Sequence, residues 1–189
     1  MSLLNDQTYP GVALTADQAT GIGLGVALLT SPATSGQSAM LRADHAAIDQ
    51  TSADGHWLTV KLAPRSTSSI FVEAGFCDAD RTDYARLLFD TAVDTDSWRF
   101  ETRDGTTQTA ETPEIVPAAD TFVTLDLMLT DGFASFSLDG ADPSVLTSNL
   151  PATDLTPYVL VGTRTSSAKA AYYDFTTYWA GDGDTQDPS

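Results

Sequence analysis

The strongest constraint on the fold is the alternation of apolar and polar residues, with a period of two, that begins at residue 55. Successive side chains of a β-strand point to opposite faces, so this period predicts strands that bury one face. Gly, Asp, Pro and Ser divide the alternating stretches at the spacing of an all-β domain. We predict seven or eight strands, within residues 58–62, 70–77, 84–89, 98–103, 123–129, 134–138, 158–163 and 171–179.

Asp-Gly pairs mark the ends of several predicted strands. Asp131-Gly132 separates the strands 123–129 and 134–138, and Asp139-Gly140 follows the second of them. Both residues of such a pair tolerate positive φ, so Asp131-Gly132 predicts a hairpin with a type I′ turn. Asp104-Gly105 marks a further turn after residues 98–103.

Acidic residues dominate the charge of the chain: 22 Asp and four Glu face seven Arg and two Lys, for a net charge of -17. The Debye length falls from ~10 Å at ~0.1 M salt to ~3 Å at ~1 M salt, so concentrated salt screens the repulsion between these acidic side chains. The charge therefore predicts a strongly saline environment. The same charge argues against nucleic acid and membrane surfaces as partners. The longest apolar stretch, residues 21–29, is too short for a membrane span, and residues 1–20 lack Lys and Arg, which predicts no signal peptide.

The two ends of the chain differ from its middle. Residues 1–37 lack long alternation and are predicted to form an extended N-terminal arm, followed by a β-sandwich domain over residues 38–180 and an acidic tail over residues 181–189. Residues 38–48 fit either a strand pair or a helical turn. Scattered apolar residues of the arm are the candidate partner-binding residues: Leu3, Leu4, Tyr9, Val12 and Leu14.

Three segments carry a family resemblance: Phe-Ser-Leu-Asp-Gly at 136–140, Tyr-Val-Leu-Val-Gly-Thr at 158–163, and Tyr-Tyr-Asp-Phe-Thr-Thr-Tyr-Trp at 172–179. They resemble the closing strands of concanavalin A-like jelly rolls, a superfamily that includes laminin-G-like modules and glucanase-like domains. The resemblance covers about residues 55–180 and implies a jelly-roll β-sandwich of two antiparallel sheets.

The glucanase-like branch implies a catalytic strand with Glu-x-Asp-x-x-Glu, whose carboxylates act as nucleophile and general acid. The glutamates of this chain, at positions 73, 101, 111 and 114, do not have that spacing. Glu73 and Asp126, expected on facing strands, form the best available pair for the separation of about 5 to 5.5 Å in retaining glycosidases. Solvent-facing strand positions are the favoured alternative for both residues.

No metal, cofactor or catalytic residue is predicted. Asp78, Asp80 and Asp83 share a loop that could coordinate calcium, but a chain so rich in aspartate produces such clusters by composition, and a solvated loop is favoured. His45 and His56 have no partner at zinc-site spacing. Serine-hydrolase and phosphate-loop motifs are also missing.

The three tryptophans are the candidate glycan-stacking residues. Trp98 and Trp179 occupy strand positions typical of core packing and are predicted to be core residues. Trp57 shares a strand face with Thr59 and Lys61, so we predict it as the glycan-binding residue if the chain binds sugar.

The absence of a catalytic motif, combined with the resemblance and the acidity, predicts a non-enzymatic structural subunit of a large assembly. The resemblance and the saline environment favour a virion protein of a tailed virus of a halophilic archaeon, in its capsid surface, turret, tail or fibre. Self-association and other virion proteins are then the expected partners, in a particle assembled in the host cytoplasm and released from the cell. The alternative is a carbohydrate-binding module that recognises a host-surface glycan, and a degenerate glycoside hydrolase is the third candidate.

Overall fold

The computed structural model describes residues 26–42 and 55–180, with side chains as far as Asp174. Within these residues the chain forms twelve strands: β1 (Val26–Thr30), β2 (Ser38–Arg42), β3 (His56–Pro64), β4 (Ile70–Cys77), β5 (Asp83–Asp90), β6 (Arg99–Asp104), β7 (Gln108–Glu111), β8 (Val123–Leu129), β9 (Ala134–Leu138), β10 (Ser144–Leu146), β11 (Thr156–Thr163) and β12 (Ala170–Ala180). This part of the chain contains no helix long and apolar enough to cross a membrane.

The strands form two antiparallel sheets of six strands each. Sheet A has the order β1-β12-β3-β8-β9-β10, and sheet B has the order β2-β11-β4-β5-β6-β7. Neighbours such as β12 and β3, or β11 and β4, are distant in sequence, so the chain crosses repeatedly between the sheets. This architecture confirms the predicted all-β jelly-roll sandwich.

The apolar core lies between the sheets because alternation directs one face of each strand inward. Val72 on β4 and Leu125 on β8 are fully buried there. Phe100 of sheet B stacks on Phe136 of sheet A with ring centroids 4.9 Å apart. Trp98 is 0% exposed, which confirms its predicted core position.

Four strands are not among the eight that the alternation predicts, and they are the four edges of the sheets: β1, β10, β2 and β7. β2 occupies the start of the ambiguous segment 38–48 and favours its strand alternative, although residues 43–54 lie outside the described residues. β1 falls within the predicted arm and pairs with β12, so the sandwich begins before residue 38. Residues 1–25 and 181–189 are outside the described part of the chain, so the rest of the arm and the tail stay predictions.

The hairpin between β8 and β9 is confirmed, but its predicted type I′ turn is wrong. Neither Asp131 nor Gly132 has the positive φ that this turn requires. The Thr130 side chain organises the turn instead, because its Oγ1 accepts hydrogen bonds from the N–H groups of Gly132 and Phe133 at 3.2 and 3.0 Å. Asp139 and Gly140, with φ of 53° and 73°, have the left-handed conformation that the Asp-Gly pairs predict.

Candidate functional site

The outer face of sheet B carries charged and aromatic side chains, whereas its inner face is apolar. Strand register arranges these side chains in rows across the sheet. The central row is Arg42, Tyr158, Gly75, Arg86 and Glu101, flanked by one row of Leu160, Glu73, Leu88 and Arg99 and another of Cys77, Tyr84, Arg103 and Gln108. We call this surface, together with Arg81 from the β4–β5 loop, the arginine face.

Glu73 is the most connected carboxylate of the arginine face and is only 3% exposed. Arg81 Nη2 donates to its Oε1 at 2.9 Å. Its Oε2 lies 2.9 Å from Arg86 Nη1 and accepts a hydrogen bond from Tyr158 Oη at 2.8 Å. The prediction of a solvent-facing Glu73 is therefore wrong, since its charge is buried and held by three donors.

Arg86 joins the two glutamates of the face. Its Nε and Nη2 both donate to Glu101 Oε2, at 2.9 and 2.7 Å, while Nη1 contacts Glu73. The guanidinium also lies over the Tyr84 ring, 3.9 Å from its centroid. Burial by itself would lower the pKa of Arg86, but the Glu73 carboxylate and then Glu101 outweigh it and raise that pKa well above the ordinary value.

Gly75 allows β4 and β5 to approach closely beside this ion pair. A Cβ at this position would lie 2.2 Å from the Ala85 carbonyl oxygen and 2.7 Å from the Arg86 Cα. Both are backbone atoms, which cannot swing aside as a flexible side chain does. Gly75 thus permits the strand contact that carries Arg86 next to Glu73.

Three arginines at the margin of the face have unused donors. The side chains of Arg81 and Arg99 are 31% and 23% exposed, and Arg103 is also partly buried. The buried Nε–H groups of Arg81 and Arg103 have no hydrogen-bond acceptor among the described residues. Arg99 Nε lies 3.4 Å from Glu101 Oε1, close enough for an ion pair but outside hydrogen-bond geometry.

Arginine is concentrated on this face far beyond its share of the chain. The chain has seven arginines, and the face holds five of them: Arg42, Arg81, Arg86, Arg99 and Arg103. Against these five stand the carboxylates of Glu73 and Glu101 in the same rows. Arg81 comes from the β4–β5 loop together with Asp78 and Asp80, so within the strand rows alone four arginines face two carboxylates in a protein of net charge -17.

Burial raises the pKa values of the hydroxyl and thiol groups on this face, so these groups stay protonated. Burial and then the nearby Glu73 carboxylate raise the pKa of Tyr158 well above its ordinary value, so the hydroxyl remains a donor to Glu73. Burial raises the pKa of the Cys77 thiol to about 12, which makes it an unreactive apolar residue. Burial likewise raises the pKa of Tyr84.

The proposed carboxylate pair of Glu73 and Asp126 is wrong. Glu73 lies on β4 of sheet B, whereas Asp126 lies on β8 of sheet A, and each points away from the core between the sheets. Asp126 instead accepts a hydrogen bond from Thr59 Oγ1 at 2.6 Å. The carboxylate that does lie near Glu73 is Glu101, two strands away across Arg86.

Trp57 lies on the outer face of sheet A, opposite Met128 on β8 and Trp179 on β12. It is half-buried and shares that face with Thr59 and Lys61, as the alternation predicts. A role in glycan binding stays a prediction. The side chain of Trp179 lies outside the described residues, and a register shift between Phe175 and Thr177 separates its position from the alternation of the preceding residues.

The acidic loop between β4 and β5 binds its own backbone. Asp78 Oδ1 accepts from the N–H groups of Thr82 and Asp83 at 2.7 and 3.1 Å, and Asp78 Oδ2 accepts from Thr82 Oγ1 at 2.9 Å. Asp83 Oδ1 accepts from the Ala152 N–H at 3.2 Å, across to another loop. These are turn-forming hydrogen bonds, and the described residues include no group of three metal-ligating side chains. His45 and the arm residues Leu3, Leu4, Tyr9, Val12 and Leu14 lie outside the described residues.

Reasoning from the sequence missed the arginine face, although one signal for it was present. Arg99, Glu101 and Arg103 alternate on one strand and so share a face, and Arg86 holds an equivalent outward position on the preceding strand. Alternation does not determine the order of the strands in the sheet. That order places β4, β5 and β6 side by side and so joins Glu73, Arg86 and Glu101.

Comparison with known proteins supports the fold. No protein-family model and no curated protein matches the sequence. A β-1,3-1,4-glucanase (lichenase) from a mouse hindgut metagenome matches in structure with a TM-score of 0.61 at 13% identity, over 81% of this chain and 79% of that one. The β-glucanase of Bacillus licheniformis matches with a TM-score of 0.60 at 15% identity, over 87% and 83%. A carbohydrate-binding module from Bacillus subtilis gives 0.55 at 8% identity, over 76% and 82%.

At these identities the likeness shows the fold alone, and that fold is a jelly-roll β-sandwich of two antiparallel sheets. The prediction that the protein is not an enzyme is contradicted by the comparison, because the similar structures are mostly enzymes. Besides the glucanases they include a transglycosylase and an alginate lyase. The missing Glu-x-Asp-x-x-Glu strand therefore does not exclude catalysis. The virion context receives no support from these structures.

Proposed function

We propose that this protein recognises carbohydrate and that the arginine face of sheet B contacts the glycan. The observation that carries the proposal is the concentration of five of the seven arginines, with Tyr84 and Tyr158, on one face of a jelly roll. The fold is consistent with this function, since the similar structures include glucanases, an alginate lyase and a carbohydrate-binding module.

The face divides into a buried frame and an accessible margin. Glu73, Glu101 and Arg86 form the frame, because their side chains are only 3%, 2% and 12% exposed and contact one another. Arg81 and Arg99 at the margin are more exposed and offer N–H donors to sugar oxygens. In this arrangement the frame positions the margin, and the margin touches the glycan.

Glycan binding by calorimetry tests the proposal, with a panel of neutral and acidic oligosaccharides. Arg99→Gln should weaken binding roughly tenfold or more, because one charge-assisted hydrogen bond is worth about 1.5–3 kcal/mol. Arg65→Gln is the matched control, since Arg65 is an exposed arginine that pairs with Asp120 away from the arginine face. No binding to any member of the panel would refute the proposal.

The same titrations test the other candidate surface. Trp57→Ala removes the half-buried indole of sheet A and leaves the arginine face unchanged. If the glycan binds sheet B, this variant should bind as the wild type does. A loss confined to Trp57→Ala would move the binding site to sheet A.

Glycoside hydrolysis is the second candidate function, and Glu73 and Glu101, which both contact Arg86, are its candidate carboxylates. Arg86 Nη1 lies 2.9 Å from Glu73 Oε2, and Arg86 Nη2 lies 2.7 Å from Glu101 Oε2. Arg86 lies between the two carboxylates, so it would have to move aside before both could act on one glycosidic bond as the paired carboxylates of glycosidases do. In this role one carboxylate would donate a proton to the leaving oxygen and the other would act as nucleophile or base.

Release of reducing ends from the bound glycan separates the two functions. Hydrolysis that falls about a hundredfold or more in both Glu73→Gln and Glu101→Gln would support catalysis by this pair. Glu111→Gln is the matched control, because Glu111 is an exposed glutamate at the sheet edge. Binding without hydrolysis would leave carbohydrate recognition as the function.

A further inference from the structure

We infer that the glycan recognised by the arginine face carries anionic groups, either carboxylate or sulfate; this inference rests on the proposed function and narrows its ligand class. The starting point is the imbalance of charge on the face. The strand rows of the face hold Arg42, Arg86, Arg99 and Arg103 against Glu73 and Glu101, so two positive charges of these rows remain after pairing. An anionic ligand supplies the charge that these arginines lack.

The hydrogen bonds of the face also favour an anionic ligand. The acceptor Glu73 is engaged by Arg81, Arg86 and Tyr158. Glu101 Oε2 accepts two hydrogen bonds from Arg86. Both oxygens of Glu73 and one oxygen of Glu101 are therefore used within the frame, whereas the partly exposed arginines of the margin retain donors. A ligand that fits this surface must be rich in acceptors.

The accessible parts of the marginal arginines suit an oxyanion. The Nε–H groups of Arg81, Arg99 and Arg103 are buried, whereas the side chains of Arg81 and Arg99 as a whole are 31% and 23% exposed. A guanidinium presents its N–H groups as a planar fork that matches the paired oxygens of carboxylate and sulfate. Hydroxyls of a neutral sugar offer single oxygens and do not match this fork.

The frame explains how these arginines stay in place within an otherwise acidic protein. Glu73 holds Arg81 and Arg86 by direct contacts, and Glu101 lies beside Arg86 and Arg99. The two carboxylates are 3% and 2% exposed and form ion pairs with Arg86. They therefore present little negative charge to a ligand. Their burial leaves the outward electrostatics of the face to the arginines at its margin.

The test is calorimetric titration of the full chain with three oligosaccharides of matched length: an oligogalacturonate, a carrageenan oligosaccharide and a cello-oligosaccharide. We expect binding of at least one of the anionic probes and binding roughly tenfold weaker or undetectable for the neutral one. The galacturonate and carrageenan arms distinguish carboxylate from sulfate as the recognised group.

Variants connect the anion to the face. Arg99→Gln and Arg103→Gln should each weaken binding of the anionic probe roughly tenfold, and Arg99→Lys should restore it only in part because lysine lacks the planar fork. Arg65→Gln should change it less than about twofold, as expected for an exposed arginine elsewhere. Thermal unfolding of each variant verifies that the fold is retained.

The outcomes separate this inference from the function on which it rests. Equal or tighter binding of the neutral probe would overturn the inference and leave carbohydrate recognition intact. Anion binding that is unaffected by Arg99→Gln and Arg103→Gln would also overturn it, because the charge would then be recognised elsewhere. Failure of all three probes to bind would count against the proposed function itself.

Discussion

Replacing Glu73 or Arg86 should destabilise the protein strongly, and replacing both should cost much less than the sum. Glu73→Leu leaves Arg86 with Glu101 as its one carboxylate partner among the described residues and removes the acceptor of the Tyr158 hydroxyl. Arg86→Met leaves Glu101 with only the long contact to Arg99. Removing one partner of a buried ion pair typically costs 3–5 kcal/mol, so we expect each single substitution to cost about that much.

The double substitution removes both charges together and leaves neither without a partner. Coupling energies between residues in contact are typically 0.5–3 kcal/mol, and the two charges here are 3% and 12% exposed, which favours the upper part of that range. We therefore expect the free energy of unfolding of the double variant to be about 2–3 kcal/mol higher than the sum of the two single effects predicts.

Urea unfolding at one fixed salt concentration measures all corners of this cycle. Arg65→Met should cost less than about 1 kcal/mol, because the pair of Arg65 and Asp120 is 48% and 58% exposed. If a leucine or methionine variant does not fold, Glu73→Gln and Arg86→Lys provide milder perturbations of the same pair. Additivity within about 0.5 kcal/mol would refute the coupled frame. A Glu73→Leu variant more stable than the wild type would show that the carboxylate is retained for chemistry at the expense of stability.

Three further predictions concern the fold and its charge. Above about pH 9, stability should fall as pH rises, because Cys77, Tyr84 and Tyr158 have folded pKa values above their unfolded ones and keep protons that the unfolded chain releases. Urea midpoints measured from neutral to alkaline pH should show this fall, and a flatter one in Tyr158→Phe. Gly75→Ala should cost about 1–3 kcal/mol or more because its Cβ meets backbone, whereas Gly132→Ala, with nothing within 4 Å, should cost little in the same assay. Finally, thermal midpoints should rise with salt, since a net charge of -17 is screened more strongly there, and a fall would contradict the saline environment predicted from composition.

The sequence predicts the eight central strands of the sandwich well because each buries a face over five residues or more and therefore must alternate. Edge strands are shorter or bury less of either face, so their residues are not required to alternate. β10 has three residues and β7 has four, and each pairs on one side only, so their sequences show no extended period. β1 is preceded by an apolar and glycine-rich stretch that hides its boundary. The limits of the sheets are thus fixed by tertiary pairing more than by local pattern.

The site was harder to predict because alternation assigns a residue to a face but does not say whether that face is solvated. Glu73 was correctly placed on the outer side of its strand, yet on this sheet the outer side includes Tyr158 and Leu160, both 0% exposed. The abundance of aspartate was a sound reason to discount Asp78 and its neighbours, whose oxygens serve their own loop. In a chain with so many acidic residues, the position of the few arginines carries more information about function. Where acidic side chains occur everywhere, five of seven arginines on one face cannot be attributed to composition, and this is the feature that any account of function has to explain.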